Sequence, residues 1–418
     1  MKVKICSITK FMTTIMILMN YSYFKLLGNQ FSIFSTSYNQ YPLVMFYTVM
    51  VVLIVALGNT YAGGTKYLNR LSAICVLTVC IGMFNAMSNN GANFMMALSS
   101  GIWYIYVLLA IPLYNLLICD KWNFRKLLKL VLFLGLGAYA LRAFISIYYG
   151  MTGTLLYPNI AEESAVSGWI RNGALRVNPP FIGIIFAPIA YYLALTTTKK
   201  AYRLLYYLSI VAAMLYTVQI HQARSLMIYQ LVTIVALFTF EKVNDKKKLF
   251  RMAILFIAVV VLINTPWISN LMDSFSGSNA DYGNSTVFRI NAIVEFGSRY
   301  LRKPIFGLGF LTSADQTLSI GGILTGNIAD IGILRSIFML GVPMILVFLL
   351  IFSRGFYVYF KVKKNGMGNE ALLVLGMTVL VIMTGINIDL FFGIFAFAIP
   401  FYLAITEYVL YKSKENTI

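Results

Sequence analysis

Arg224, Arg289 and Asp330 are the residues whose types and placement in this chain best suit chemistry. A guanidinium offers a planar fork of donors that grips a phosphate through two oxygens, which an ammonium cannot do. A carboxylate near such a fork can take or orient the proton of an attacking hydroxyl. Arg142, Arg176, His221 and Arg335 are the further candidates, as groups that bind substrate. His221 is the chain's one histidine. A metal site would need partners it lacks, so no metal is expected.

The elements that must carry these residues are membrane helices. The 418 residues are 60% hydrophobic and 11% charged, with a mean hydropathy of +0.79; an ordinary soluble domain is about 25% charged. Runs near the roughly 20 residues that a bilayer requires recur from end to end. Twelve spans are expected, near 11–27, 42–59, 71–88, 97–118, 130–149, 179–197, 204–220, 225–241, 252–267, 332–352, 371–388 and 391–410. The fold class is therefore an all-α polytopic membrane protein, one integral domain over 1–418. External loops fall at 150–178 and, much longer, at 268–331 between spans nine and ten. The start reads as an uncleaved first span.

The net charge of +19 could suggest nucleic acid, but its distribution gives topology instead. With both termini in the cytoplasm every inner loop is basic, as the positive-inside rule requires. Of 33 Lys and Arg, 23 lie on that side and five of those are arginine. The other ten are Lys25, Arg142, Arg171, Arg176, Arg224, Arg289, Arg299, Arg302, Lys303 and Arg335, eight of them arginine. Topology is indifferent to the kind of cation, so this switch points to an anionic ligand on the outer side; arginines that merely snorkel or pair are the plainer reading. The four cysteines, at 6, 75, 80 and 119, avoid the outer loops, and no external disulfide is expected.

Each candidate has a local setting. Arg142 lies inside span five, towards its outer end. Arg176-Val177-Asn178-Pro179-Pro180 fits a break just before span six. His221 and Arg224 occupy a tight turn between spans seven and eight, and at helical spacing they would share a face. Glu162 and Glu163 are the paired carboxylates of the first outer loop, either solvated charges or an acid–base pair. Over Thr286–Lys303 a helical wheel gathers Val287, Ile290, Ile293, Val294, Gly297 and Leu301 in one arc. Arg289 falls at the edge of that arc, so a helix laid with its apolar face inwards would hold Arg289 beside it. Glu295, Arg299 and Arg302 fall opposite. The helix should stop at Lys303-Pro304. Asp330 and Arg335 precede the body of span ten, where an acid could act as base or neutralise an arginine.

Three segments, in order, resemble the Wzy-type polysaccharide polymerases and O-antigen ligases: Gln222-Ala223-Arg224-Ser225-Leu226; Phe288-Arg289 leading to Lys303-Pro304-Ile305-Phe306-Gly307-Leu308-Gly309; and Asp330-Ile331-Gly332-Ile333-Leu334 running to Gly341-Val342. Arg176-Val177-Asn178-Pro179 is a weaker fourth. Ligases of this family carry a histidine where this chain has Asp330, which favours the polymerase. The resemblance implies a helical membrane glycosyltransferase fold of the GT-C type in the bacterial cytoplasmic membrane, with its active face periplasmic or extracellular. It implies undecaprenyl-pyrophosphate-linked oligosaccharides as donor and acceptor, no cofactor, and a flippase and chain-length regulator of the same pathway as partners. Transfer to another acceptor, as in a ligase, and transport of the lipid-linked unit, as in a flippase, are the alternative activities.

Overall fold

The computed structural model describes residues 2–21, 23–27, 65–119, 123–157, 170–171, 174–178, 185–241, 283–312, 315–320, 323–391 and 397–416. The expected spans 42–59 and 252–267, the Glu162–Glu163 pair and the Pro179–Pro180 break lie outside the described residues.

Helices dominate: α1 (Lys2–Asn20), α2 (Lys66–Asn89), α3 (Phe94–Ile105), α4 (Ala110–Ile118), α5 (Phe124–Thr152), α6 (Phe186–Thr196), α7 (Lys200–Tyr216) and α8 (Arg224–Phe240). They continue with α9 (Gly283–Leu301), α10 (Ile333–Leu340), α11 (Val342–Lys364), α12 (Gly368–Gly385) and α13 (Ala398–Glu415). Six helical stretches are long and apolar enough to cross a bilayer: Lys66–Asn89, Phe94–Ile118, Phe124–Thr152, Lys200–His221, Val342–Lys364 and Gly368–Gly385. The chain is a mostly helical membrane protein. Leu77, Phe84, Phe133, Phe144, Leu208, Leu349 and Phe360 project from these helices with 42% or more of their surface exposed, as side chains facing lipid would.

Local chemistry sets several helix ends. Thr65, Asn93 and Asn123 accept from the backbone amides of Leu68, Met96 and Lys126 at 3.2, 2.8 and 3.3 Å, each meeting one of the donors that a helix start leaves unbonded. Gly153 closes α5 in the left-handed region at φ 68°. Inside the bundle α12 packs on α6, α8, α11 and α13, and α2 packs on α3 and α11. The all-α expectation needs one addition. Two short antiparallel hairpins occur, β1 (Ile170–Arg171) with β2 (Ala174–Leu175) and β3 (Thr317–Ile320) with β4 (Ile323–Asn327).

The expected tenth span, 332–352, is not one helix. After a 3₁₀ turn over Ile328–Ile331, α10 runs eight residues and stops at Gly341. Gly341 has φ 71° and ψ −154°, a region essentially closed to side chains. The membrane-length helix α11 starts only at Val342. Hydropathy does not see this break, because the residues on both sides are apolar.

The break is bridged by Pro304–Gly309. The amides of Leu308 and Gly309 donate to the carbonyls of Phe338 and Met339 at 2.9 and 2.8 Å, and the Val342 amide donates to those of Pro304 and Ile305 at 3.3 and 3.1 Å. Gly307 and Gly341 meet backbone to backbone, so a methyl on Gly307 would lie 2.5 Å from the Met339 carbonyl oxygen.

A buried polar network anchors α10 from its other side. Arg335 Nη1 lies 3.7 Å from Asp389 Oδ2, with side-chain exposures of 4% and 1%. Ser336 Oγ donates to Asp389 Oδ1 at 2.7 Å, Tyr104 Oη meets Ser336 Oγ at 2.9 Å, and Arg335 Nη2 donates to Gln316 Oε1 at 3.3 Å. Removing one partner of a buried ion pair costs about 3–5 kcal/mol, because the other charge stays buried. Asp389→Ala should therefore lower the melting temperature of the purified protein sharply. Gly341→Ala should lower it too, because such backbone strain costs about 1–3 kcal/mol. A melt unchanged by either substitution contradicts the anchoring described for it.

Candidate functional site

Arg289 and Asp330 come together because α9 packs across β4 and the 3₁₀ turn. Asn291 Nδ2 donates to the Thr325 carbonyl at 3.1 Å, and the Tyr300 and Phe338 rings lie 5.2 Å apart. Gly326 lets strand and helix close up: a side chain there would meet the Phe288 carbonyl oxygen at 3.0 Å. Ala292 and Phe296 are fully buried on this face. Val287, Ile290, Ile293, Val294 and Leu301 are instead 40% to 75% exposed. The expectation that this apolar arc packs inwards is thus corrected. The protein-facing side is the adjacent one, Phe288-Arg289-Ala292-Phe296, and the stripe found on the wheel faces outwards.

Arg289 is half-buried on that inner face. Its Nε is buried with no hydrogen-bond partner among the described residues. Its charge acts on two groups, the Asp330 carboxylate and the Tyr229 hydroxyl, the latter hydrogen-bonded to Ser225. No ion pair of 4 Å or less closes between Arg289 and any carboxylate of the described residues. The guanidinium is therefore close to an acid without being neutralised by contact.

Asp330 sits in the 3₁₀ turn that Asn327 caps through the Ala329 amide at 2.8 Å. Gly332, at φ 61°, then lies against the backbone of Gly385 and Ile386. The turn is thus fixed on both sides while the Asp330 side chain is exposed. The surrounding protein pushes its carboxyl above the usual aspartate range, and Arg289 pulls it back. Solvent at the exposed carboxylate screens both effects.

The second group of candidates lies at the end of α7. The helix finishes in a π turn, Thr217–His221, and Gln222 then takes the left-handed conformation at φ 51°. His221 and Arg224 therefore do not share one helical face; Arg224 opens α8, and its side chain lies outside the described residues. His221 is buried, with Nε2 3.2 Å from Asn178 Oδ1, while Arg176 Nε donates to the His221 carbonyl at 2.9 Å. Arg176, Asn178 and His221 form one cluster, and His221 lies four residues before Ser225 in the chain.

The two remaining candidates are buried among protein partners. Arg142, 5% exposed, donates through Nη1 to the carbonyls of Tyr21 and Ala138 at 3.3 Å and is ringed by Tyr21, Tyr23, Tyr139 and Tyr216. Arg335 belongs to the Asp389 network beneath the site. Tyr229 and Ser225 were not apparent as site residues from the sequence, since nothing in an apolar helix marks one hydroxyl above another. Asp389 carried a signal. It is the single charged residue between Ala371 and Ile405, and an ionisable residue in such a run implies a buried partner.

Among the described residues no group of three or more His, Cys, Asp or Glu is arranged to hold a metal ion. No family model matches the sequence, and no curated protein matches it. The resemblance drawn above thus rests on its motifs, and the geometry bears on the site alone.

The raised Asp330 carboxyl has a definite sign. Its folded form holds the proton more tightly than the unfolded chain, so its contribution to stability falls as pH rises through that window. Asp330→Asn should leave the melting temperature at neutral pH unchanged or higher. Arg289→Gln should raise the Asp330 titration midpoint, followed by carboxyl NMR, because the opposing cation is gone. A clear loss of stability in Asp330→Asn would mark the carboxylate as an anchor of the turn.

Proposed function

We propose that the chain is a repeat-unit polymerase of surface polysaccharide, transferring a lipid-pyrophosphate-linked oligosaccharide onto a second such molecule. The observation that carries this reading is Arg289. It is a guanidinium held on the inner face of α9 that, among the described residues, closes no ion pair and leaves a buried Nε without a hydrogen-bond partner, and its charge acts on Asp330. A guanidinium that acts on an acid without closing an ion pair with it suits an anion that comes and goes.

In this reading the acceptor hydroxyl oxygen attacks the donor's anomeric carbon as the carbon–oxygen bond to pyrophosphate breaks. The bonding pair leaves with the pyrophosphate, which Arg289 and Arg224 clamp. The hydroxyl proton passes to Asp330. One preorganised donor aimed at developing charge contributes about 3–4 kcal/mol. The Tyr229–Ser225 pair borders the clamp at the head of α8, and Arg176 and His221 shape the adjoining wall. Twelve spans in a GT-C-like arrangement, with both termini cytoplasmic and the α9 segment on the outer face of a bacterial cytoplasmic membrane, complete the proposal. A flippase supplying the lipid-linked unit and a chain-length regulator are the partners it would require.

The test is to give the purified protein one lipid-pyrophosphate repeat unit and resolve the products on a gel. A ladder is expected. Transfer only to a separate acceptor indicates a ligase, and unchanged substrate indicates transport. Arg289→Lys and Arg224→Lys should each slow polymer formation by about 10²–10³ at normal protein levels, since lysine keeps the charge and loses the fork. Full activity in both would sink the clamp.

A further inference from the structure

The end of α9 holds a second basic site, some way from Arg289. Twelve residues of helix separate Arg289 from Leu301, or about 18 Å at 1.5 Å per residue. Beyond it, Arg302 and Lys303 border a cavity of about 400 Å³ shared with Asn85, Asn89 and Pro304–Gly307. We propose that this cavity seats the phosphate of an anionic membrane lipid.

Charge is the first reason. Of the basic residues here, Arg299 is neutralised by Glu295 at 2.9 Å. Arg302 meets no carboxylate among the described residues, and Lys303 Nζ donates to a neutral acceptor, Asn89 Oδ1, at 3.1 Å. Two adjacent cations are left without a counter-ion among the described residues, and an anion from outside the protein would complement both.

Depth is the second. Asn85 and Asn89 belong to the last turns of α2, a 24-residue helix of about 36 Å, against a hydrocarbon core of about 30 Å. On the other side of the cavity the Val342 amide, at the start of α11, bonds the carbonyls of Pro304 and Ile305. Two membrane-length helices end at this cavity, which places it at the level of lipid headgroups.

The third reason is the rim. Leu301, Ile305 and Phe306 are 75%, 61% and 51% exposed. Apolar side chains beside a cation pair suit an amphiphile, with its phosphate on Arg302 and Lys303 and its chains against the rim. A free phosphate would make no use of them. The outward stripe Val287-Ile290-Val294 continues the same apolar surface along α9.

The test is native mass spectrometry of the full chain released from nanodiscs of phosphatidylglycerol or phosphatidylcholine. The wild type should keep one phosphatidylglycerol that phosphatidylcholine does not replace. Each basic residue near an anionic surface contributes roughly fivefold, so Arg302→Gln with Lys303→Gln should weaken retention about thirtyfold. Arg299→Gln should leave it within about twofold, because that charge is already paired, and Arg302→Lys, which keeps the charge and serves as the folding control, should still bind. Equal retention of the two lipids, or undiminished retention in the double variant, overturns the proposal. Displacement of the lipid by millimolar inorganic phosphate also overturns it, by making the cavity a free-anion site.

Discussion

A helix that stops inside packed protein leaves carbonyls shielded from water, and such a stop persists only if other backbone comes to meet it. That requirement governs the region around Gly341. Helix α10 ends there, α11 begins at once, and Pro304–Gly309 supplies the missing partners: two amides to the carbonyls of Phe338 and Met339, and two carbonyls to the Val342 amide. Asn90 Nδ2 continues the seam by donating to the Leu308 carbonyl at 2.9 Å. Backbone can approach backbone this closely only where no side chain intervenes, which is why Gly307, Gly309 and Gly341 stand at the contacts.

The geometry of Arg289 and Asp330 follows from this joint. It fastens the segment that follows α9 to the end of α10, while β4 and the 3₁₀ turn hold the body of α9. A helix held along its length has one rotation open to it, the one that buries Ala292 and Phe296. In that rotation Arg289 faces Asp330. The Arg335–Asp389 network fixes the opposite side of α10, so the turn bearing Asp330 is set between two immobile elements.

Element existence was legible in the sequence and side-chain partnership was not. The helix over 286–303 and the stop near Pro304 follow from periodicity and proline. Which face of α9 packs does not, because a wheel reports apolarity and cannot say whether protein or lipid covers it. In a membrane protein the apolar stripe can be the outer one, as Val287, Ile290 and Val294 are. His221 and Arg224 were separated by a left-handed Gln222 that no composition rule marks. The β3–β4 hairpin did leave a trace, Ser-Ile-Gly-Gly-Ile-Leu, two strand-forming runs around a glycine pair. It falls within 268–331, the stretch expected as an external loop.

The excess of arginine over lysine among the ten set-apart cations also divides on physical grounds. The side chains of Lys25, Arg171 and Arg224 lie outside the described residues. Burial explains part of the rest: Arg142 bonds carbonyls within a ring of tyrosines, Arg335 faces Asp389, and Arg176 holds the His221 carbonyl. A planar, weakly hydrated guanidinium tolerates such places better than an ammonium. Arg299 is accounted for by Glu295. Arg289 and Arg302 are left, each without an acidic contact among the described residues, one on the inner face of α9 and the other beyond its end. Arginine preference by itself therefore does not identify a ligand site; an arginine left unneutralised by a protein that pairs its neighbours does. By that criterion α9 and the turn beyond it carry the two anion sites proposed above, which differ in character. The inner one is bordered by hydroxyls and an acid, as chemistry needs, and the terminal one is bordered by apolar side chains, as a membrane lipid needs.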